Sequence, residues 1–274
     1  MDIYAEDFES LARQEWDSPL TIKAADSDTA GGKIDMDAID RIAEHPEARS
    51  VSVFGLRQSS FEYFIKTYGR QFRYIRFFRN KFVQDWSLLG TLPELEGLYW
   101  YYNQKIDRLW DMSKNTALRA VELSNFSKLH DLSGVEKAPS LEWFGIGDEL
   151  EGNTAIESLK PFADTNIRRI GFSGKSIKDM DISFIPQMKS LEVFDFPTNL
   201  FTTEDVARLV ALRPDLKGYS LRPLIEIMLF NEETGKQDKP GVIIVGKRKP
   251  VLAVEGNEKR IADYVAKFDR LVSQ

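Results

Sequence analysis

The sequence predicts an α/β solenoid whose core is a parallel β-sheet built from one strand per coil. Three observations predict it. First, residues 118–141 place apolar side chains at Leu118, Val121, Leu123, Phe126, Leu129, Leu132, Val135, Ala138 and Leu141. The step of two between Val121 and Leu123 suits a strand, whose side chains alternate faces. The later steps of three suit 3₁₀ turns or extended coil, in which i and i+3 eclipse. Second, the same opening recurs eight times, at Ala48, Phe72, Leu95, Leu118, Leu141, Ile167, Leu191 and Leu216, every 23 to 26 residues. Third, every copy carries a spaced apolar pair: Val51/Val53, Ile75/Phe77, Leu98/Trp100, Val121/Leu123, Phe144/Ile146, Ile170/Phe172, Phe194/Phe196 and Tyr219/Leu221. Agreement at three positions over eight copies is the signature of stacked coils.

Taken in order, residues 1–47 fall outside the period and are expected to form an N-terminal cap with a degenerate coil. Pro19-Leu20-Thr21-Ile22-Lys23 reads as a strand and Ala30-Gly31-Gly32 as a break. Met36, Ile39, Ile42 and Ala43 then follow helical spacing over 35–44, stopped by Pro46. Without such a cap the first coil would expose its apolar interior and a strand edge. Residues 48–224 are the solenoid, with a parallel sheet of eight or nine rungs about 4.8 Å apart. Its return segments read as 3₁₀ or irregular, except for two helices. One spans 61–68 with Phe61, Phe64, Ile65 and Tyr68; the other spans 203–213 with Val206, Leu209, Val210 and Leu212 after a threonine N-cap.

From residue 225 the period ends, and 225–274 are expected to close the last coil as a C-terminal cap. Ile225, Ile227 and Leu229 alternate with Glu226, Met228 and Phe230. A turn-rich segment over 231–241 precedes strands at 242–245 and 251–254, with Lys247-Arg248-Lys249 as a solvated hairpin tip. The helix 257–272 carries Ile261, Tyr264, Val265, Phe268, Leu271 and Val272 on one face.

On these repeats the chain resembles the leucine-rich repeat family, whose motif is LxxLxLxxN. The ninth position is Asn80, Asn103 and Asn199 in three copies and Leu56, Phe126, Glu149, Lys175 and Leu224 in the others. The resemblance therefore implies an asparagine ladder with interruptions. The short copies at Phe72, Leu95 and Leu118 are most similar to the bacterial, internalin-like subclass. It implies a concave sheet, a convex side of short helices and 3₁₀ turns, and a protein-binding role. A scaffold that hosts many roles does not name a partner.

Composition narrows the function classes. The 274 residues are 42% hydrophobic and 29% charged, ample for a large core, and the net charge of −6 argues against nucleic acid as the main ligand. With no cysteine there is no disulfide, thiol nucleophile or thiolate metal site. The acidic start lacks a signal-peptide pattern and no apolar run approaches 18 residues, so a cytoplasmic chain without a membrane span is expected. His45 and His130 stand apart with no further His or Cys to complete a metal set. No nucleophile elbow occurs, and Gly145, Gly147, Gly171 and Gly174 lie in repeat strands, outside the strand–loop–helix context of a phosphate loop. No catalytic constellation, cofactor or metal is expected.

The informative residues are those pointing away from the core, the third, fifth and seventh of each coil. They gather Phe54, Tyr74, Phe78, Tyr99, Tyr101 and Trp143 with Arg76 in the first half, then Ser and Gly flanked by Arg169, Asp195 and Arg222. Exposed Tyr, Trp and Arg are enriched at binding hot spots. The expected site for a protein or peptide partner is therefore Tyr74, Arg76, Phe78, Tyr99, Tyr101, Glu122, Trp143, Arg169, Asp195 and Arg222. A carbohydrate-binding module on the same aromatics, and an enzyme with an unrecognised site, are the alternatives. Trp86, Trp100 and Trp110 are expected in the core. Oligomeric state is not legible.

Overall fold

A computed structural model describes residues 20–23, 34, 36–148, 153–232 and 234–274. The expected break at 30–32 and the segment before Leu20 lie outside them. One parallel sheet of eight strands runs through the solenoid: β1 (Leu20–Ile22), β2 (Ser50–Phe54), β3 (Tyr74–Phe78), β4 (Gly97–Asn103), β5 (Ala120–Phe126), β6 (Trp143–Gly147), β8 (Arg169–Ser173) and β10 (Val193–Asp195). The two-residue strands β7 (Ala155–Ile156) and β9 (Ser176–Ile177) pair separately beside it. Every spaced apolar pair from Val51/Val53 to Phe194/Phe196 is buried, and together they form one continuous core. Burial of each large member stabilises by roughly 1.5–3 kcal/mol.

At one end the expected degenerate coil supplies a rung, and at the other the last copy supplies none. Strand β1 pairs in parallel with β2, so a residue run outside the period supplies the first rung. The eighth copy supplies none: Lys217 makes an isolated bridge to Val193, and Tyr219 and Leu221 are only half-buried. Side chains there take over from the ladder, since Tyr219 N–H donates to Asp195 Oδ1 at 2.7 Å and Ser220 Oγ donates to the Phe196 carbonyl at 2.6 Å.

The return side carries 3₁₀ turns at Ser87–Thr91, Val135–Lys137, Lys160–Phe162 and Ile185–Gln187. Its longer helices are α2 (Gln58–Thr67) and α3 (Thr203–Leu212); a short α1 (Met36–Asp40) precedes β2. Thr202 caps α3 reciprocally with Asp205, an arrangement worth about 1 kcal/mol. The C-terminal unit is an antiparallel sheet of β11 (Leu224–Asn231), β12 (Lys236–Ile244) and β13 (Val251–Ala253), followed by α4 (Glu258–Val272). Residues 236–241, expected in a turn, are the first part of β12, because the hairpin reverses earlier, where the Gly235 N–H closes on the Asn231 carbonyl. Helix α4 lies against α3 through Tyr264 and Thr203, whose hydroxyls are 2.8 Å apart, and through Lys267–Glu204 at 2.8 Å.

From the second copy to the seventh, the second position carries a feature that apolar spacing does not reveal. Arg73, Glu96, Arg119, Glu142, Arg168 and Glu192 alternate in sign along one edge of the sheet. Arg119 grips Glu142 with two hydrogen bonds, Nε at 2.9 Å and Nη2 at 3.1 Å, and Arg168 reaches Glu192 at 2.7 Å. The Arg119 hydrogen bond holds Glu142 below the usual carboxylate range. Hydrogen bonds from Ser183 and Lys160 bring Asp181 to about 2, and the Arg213 guanidinium does the same for Asp215. A carboxylate whose folded pKa is depressed stabilises fully above its unfolded pKa and loses that contribution as pH falls through the folded value. Thermal melting followed from pH 6 to pH 2 should therefore hold steady at first, then fall below about pH 4. A melting temperature that stays flat to pH 2 would contradict these pairings.

Candidate functional site: the concave face

The strand register aligns the outward residues in three rows. The first is Ser50, Tyr74, Gly97, Ala120, Trp143, Arg169 and Val193; the second is Ser52, Arg76, Tyr99, Glu122, Gly145, Gly171 and Asp195. The third is Phe54, Phe78, Tyr101, Ser124, Gly147 and Ser173. Side chains from neighbouring rungs in a row are close enough to touch.

Strands β2, β3 and β4 build an aromatic patch around one cation. Phe54 stacks on Phe78 with centroids 5.0 Å apart and planes 11° apart. Phe78 meets Tyr99 at 5.5 Å and Tyr101 at 6.2 Å, and Tyr101 meets Tyr102 at 6.3 Å. The Arg76 guanidinium lies 5.5 Å from the Phe78 ring and 5.7 Å from the Tyr99 ring. Partial burial lowers its pKa, opposed by Tyr99 and Glu122, and a guanidinium remains charged regardless. Tyr74 donates its hydroxyl to Glu96 at 2.7 Å and lies over Gly97, where a Cβ would come within 2.8 Å of the ring. Glycine at 97 is what lets that ring lie down. Phe54, Tyr74, Arg76, Phe78, Tyr99, Tyr101 and Tyr102 all retain partial exposure.

The second half of the face is a floor. Gly145, Gly147 and Gly171 are buried, as is Ser124. Trp143, expected to stand out, keeps 7% of its surface exposed, and its ring is in contact range of a Cβ built at Gly145. The absent side chain at 145 leaves room for the indole against the sheet. Asp195 is buried too, holding the Tyr219 N–H; burial raises its pKa against the pull of that hydrogen bond, Arg169 and Arg222. Glu122 and Arg169 are half-buried. Arg222 is exposed, in the connection entering β11 rather than on a rung. Of the ten expected residues, Trp143 and Asp195 are thus buried and Arg222 lies off the rungs. Five of them, Tyr74, Arg76, Phe78, Tyr99 and Tyr101, make the patch.

Tyr102 escaped the alternation rule because β4 takes a left-handed kink at it, φ 68°, which breaks the alternation of faces. Gly55, Arg79, Tyr102 and Asn125, each the eighth residue of its coil, share positive φ values of 72°, 53°, 68° and 59°. Non-glycine residues in this conformation cost about 1 kcal/mol or more, so each corner must be held by its surroundings. Asn103 holds the one after Tyr102. Phe82, with Arg57 at 5.6 Å and Lys81 at 5.0 Å from its ring, is a second exposed aromatic beyond the strand pattern. Among the described residues no group of three His, Asp or Glu is placed to hold a metal, and no helix is long and apolar enough to cross a membrane.

Comparison with known proteins agrees with the architecture. No family model matches the chain. An internalin (inlF) from Listeria monocytogenes superposes with a TM-score of 0.52 at 19% identity, covering 67% of this chain and 50% of that one. Over 73 residues the chain is 40% identical to the Disease resistance protein RPS4B of Arabidopsis thaliana, 26% of this chain and 6% of that protein. The chain thus spans half of the solved structure and a small fraction of the plant protein.

Proposed function

We propose that this chain, a leucine-rich repeat solenoid of the internalin-like type, is a non-enzymatic module that holds a protein or peptide segment on its concave aromatic patch. The observation that carries the reading is the half-exposed cluster of Phe54, Tyr74, Phe78, Tyr99 and Tyr101 around the Arg76 guanidinium. Contiguous aromatic surface is unusual on a soluble protein unless it is used. A cation stacked between rings can attract a carboxylate of the partner while the rings take apolar side chains.

Once a partner is captured, Phe78→Ala, Tyr99→Ala and Tyr101→Ala should each weaken it by about 1–2 kcal/mol or more. Arg76→Glu should weaken it further than Arg76→Ala, since it replaces attraction for a carboxylate with repulsion. Calorimetric titration of the captured partner measures both. A partner that binds the triple Phe78/Tyr99/Tyr101→Ala variant as tightly as the parent chain would sink the reading. Binding confined to a glycan array would instead assign the same rings to sugar.

A further inference from the structure

We infer that the chain self-associates through the open edge of β11, with two copies pairing antiparallel about a twofold axis at Ile227. The C-terminal sheet runs β11-β12-β13, so among the described residues β11 is hydrogen-bonded along one side. Val245 N–H donates to the Pro223 carbonyl at 3.0 Å, and the Leu224↔Ile244 register continues that pairing up the hairpin. Alternation along an antiparallel ladder then makes Ile225, Ile227 and Leu229 the residues bonded to β12. The N–H and C=O groups of Leu224, Glu226, Met228 and Phe230 point to the open edge. Pro240 fits this phase: it faces Met228, a pair that needs no proline N–H. The one register shift in the hairpin, between Leu229 and Phe230, skips Asp238 on β12 and leaves β11 continuous.

This edge carries one guard, the exposed Glu226, and no other of the usual kind. The strand Leu-Ile-Glu-Ile-Met-Leu-Phe-Asn contains no lysine or proline. Its Met228 and Phe230 are 61% and 62% exposed, the most exposed large apolar side chains among the described residues. Such an edge is a template for another strand.

Charge identifies that strand as a second copy. A symmetric pairing that uses the outward residues of both copies, with its axis at Ile227, sets Leu224 opposite Phe230 and Glu226 opposite Met228. It also sets Arg222 opposite Glu232. Both are exposed and flank β11 at its two ends, so the twofold makes the same ion pair twice. Moving the axis to Glu226 would bring two Glu226 carboxylates face to face, and moving it to Met228 would set Glu232 opposite Leu224. The register at Ile227 alone among these satisfies the charges.

Sedimentation equilibrium on the full chain tests the pairing. The parent chain should dimerise. Arg222→Glu and Glu232→Arg should each raise the dimer Kd at least about tenfold, because each places like charges together twice. The double swap should return it to within about threefold of the parent. Glu232→Arg, at an exposed turn position, should keep the parent melting curve, whereas Arg222→Glu also removes a cation that acts on the buried Asp195, so its dimer Kd is measured well below its own melting temperature. A second readout uses the absence of cysteine. Ile227→Cys puts two thiols across a non-hydrogen-bonded pair, with Cα atoms about 4.5 Å apart, within disulfide reach. Oxidation should link it covalently, while the exposed α2 control Ser59→Cys stays unlinked. A chain that remains monomeric, or that instead gives up this edge to another protein's strand, overturns the inference. So does a dimer indifferent to both reversals, or one that Ile227→Cys cannot cross-link.

Discussion

Trp100→Ala should destabilise the chain by about 3–5 kcal/mol, as for truncation of a fully buried tryptophan. Trp100 is the sixth residue of its coil, at the centre of the sheet, and has no exposed surface. Its ring lies 4.3 Å from Phe77, 5.6 Å from Trp86, 5.8 Å from Phe61 and 6.2 Å from Phe126. Phe77 and Phe126 come from the neighbouring rungs, Phe61 from α2 and Trp86 from the return side. One indole thus joins two adjacent coils, a helix and the convex wall, and its removal leaves a cavity that none of the four can fill. Its Nε1 is buried without a hydrogen-bond partner among the described residues, so Trp100→Phe loses no hydrogen bond there. That variant keeps a six-membered ring in the site and should cost clearly less than Trp100→Ala, since it leaves a smaller cavity. Urea unfolding of both variants measures the contrast. If Trp100→Ala costs no more than an exposed substitution, about 0.5 kcal/mol, the ring is not the centre of the core.

The apolar spacing made this core legible because every inward residue must meet its counterpart one coil away. The same regularity made the outward rows legible in advance. What stayed hidden was decided by close contacts between backbone and side chain. Leu216, Tyr219 and Leu221 fit the repeat in sequence, yet Gly218 lies so close to the Phe194 carbonyl that a Cβ there would clash with it. Asp195 and Ser220 then replace the ladder with side-chain bonds, and Pro223 turns the chain into the hairpin. Trp143 counted as an outward aromatic, but the bare Gly145 beside it accommodates the ring, a dependence between two positions that periodicity ignores. The alternating charges of the second position were written in the sequence throughout. They belong to a polar row, which a search for apolar spacing passes over.

Asn103→Ala should cost at least about 3 kcal/mol, because it leaves three buried backbone groups and one half-buried one without their partner, and each buried loss costs about 1–3 kcal/mol before relaxation. Asn103 has no exposed surface. Its Nδ2 donates to the Asn80 and Val83 carbonyls, both at 3.0 Å, and its Oδ1 accepts from Lys105 N–H at 2.8 Å and Ile106 N–H at 2.9 Å. Asn80 does the same one coil earlier, accepting from Leu56 N–H at 2.6 Å and donating to the Val53 carbonyl at 2.9 Å. These two make the ladder implied by the repeat motif; the next rung replaces it with Phe126, which is paired with Asn103 and packed into the core. Asn199, the third asparagine at this position, is exposed and takes no part. Its coil reverses instead through a turn in which Leu200 N–H donates to the Pro197 carbonyl, and α3 follows directly. Asn199→Ala should therefore stay within about ±0.5 kcal/mol. Chemical denaturation of the pair is a sharp comparison, since residue type and repeat position are the same and only burial differs. Asn103 also anchors the corner where Tyr102 sits at φ 68°, so its loss should loosen Tyr101 and Tyr102 and weaken partner binding as well. Equal losses from Asn103→Ala and Asn199→Ala would mean that the ladder does not hold the coils.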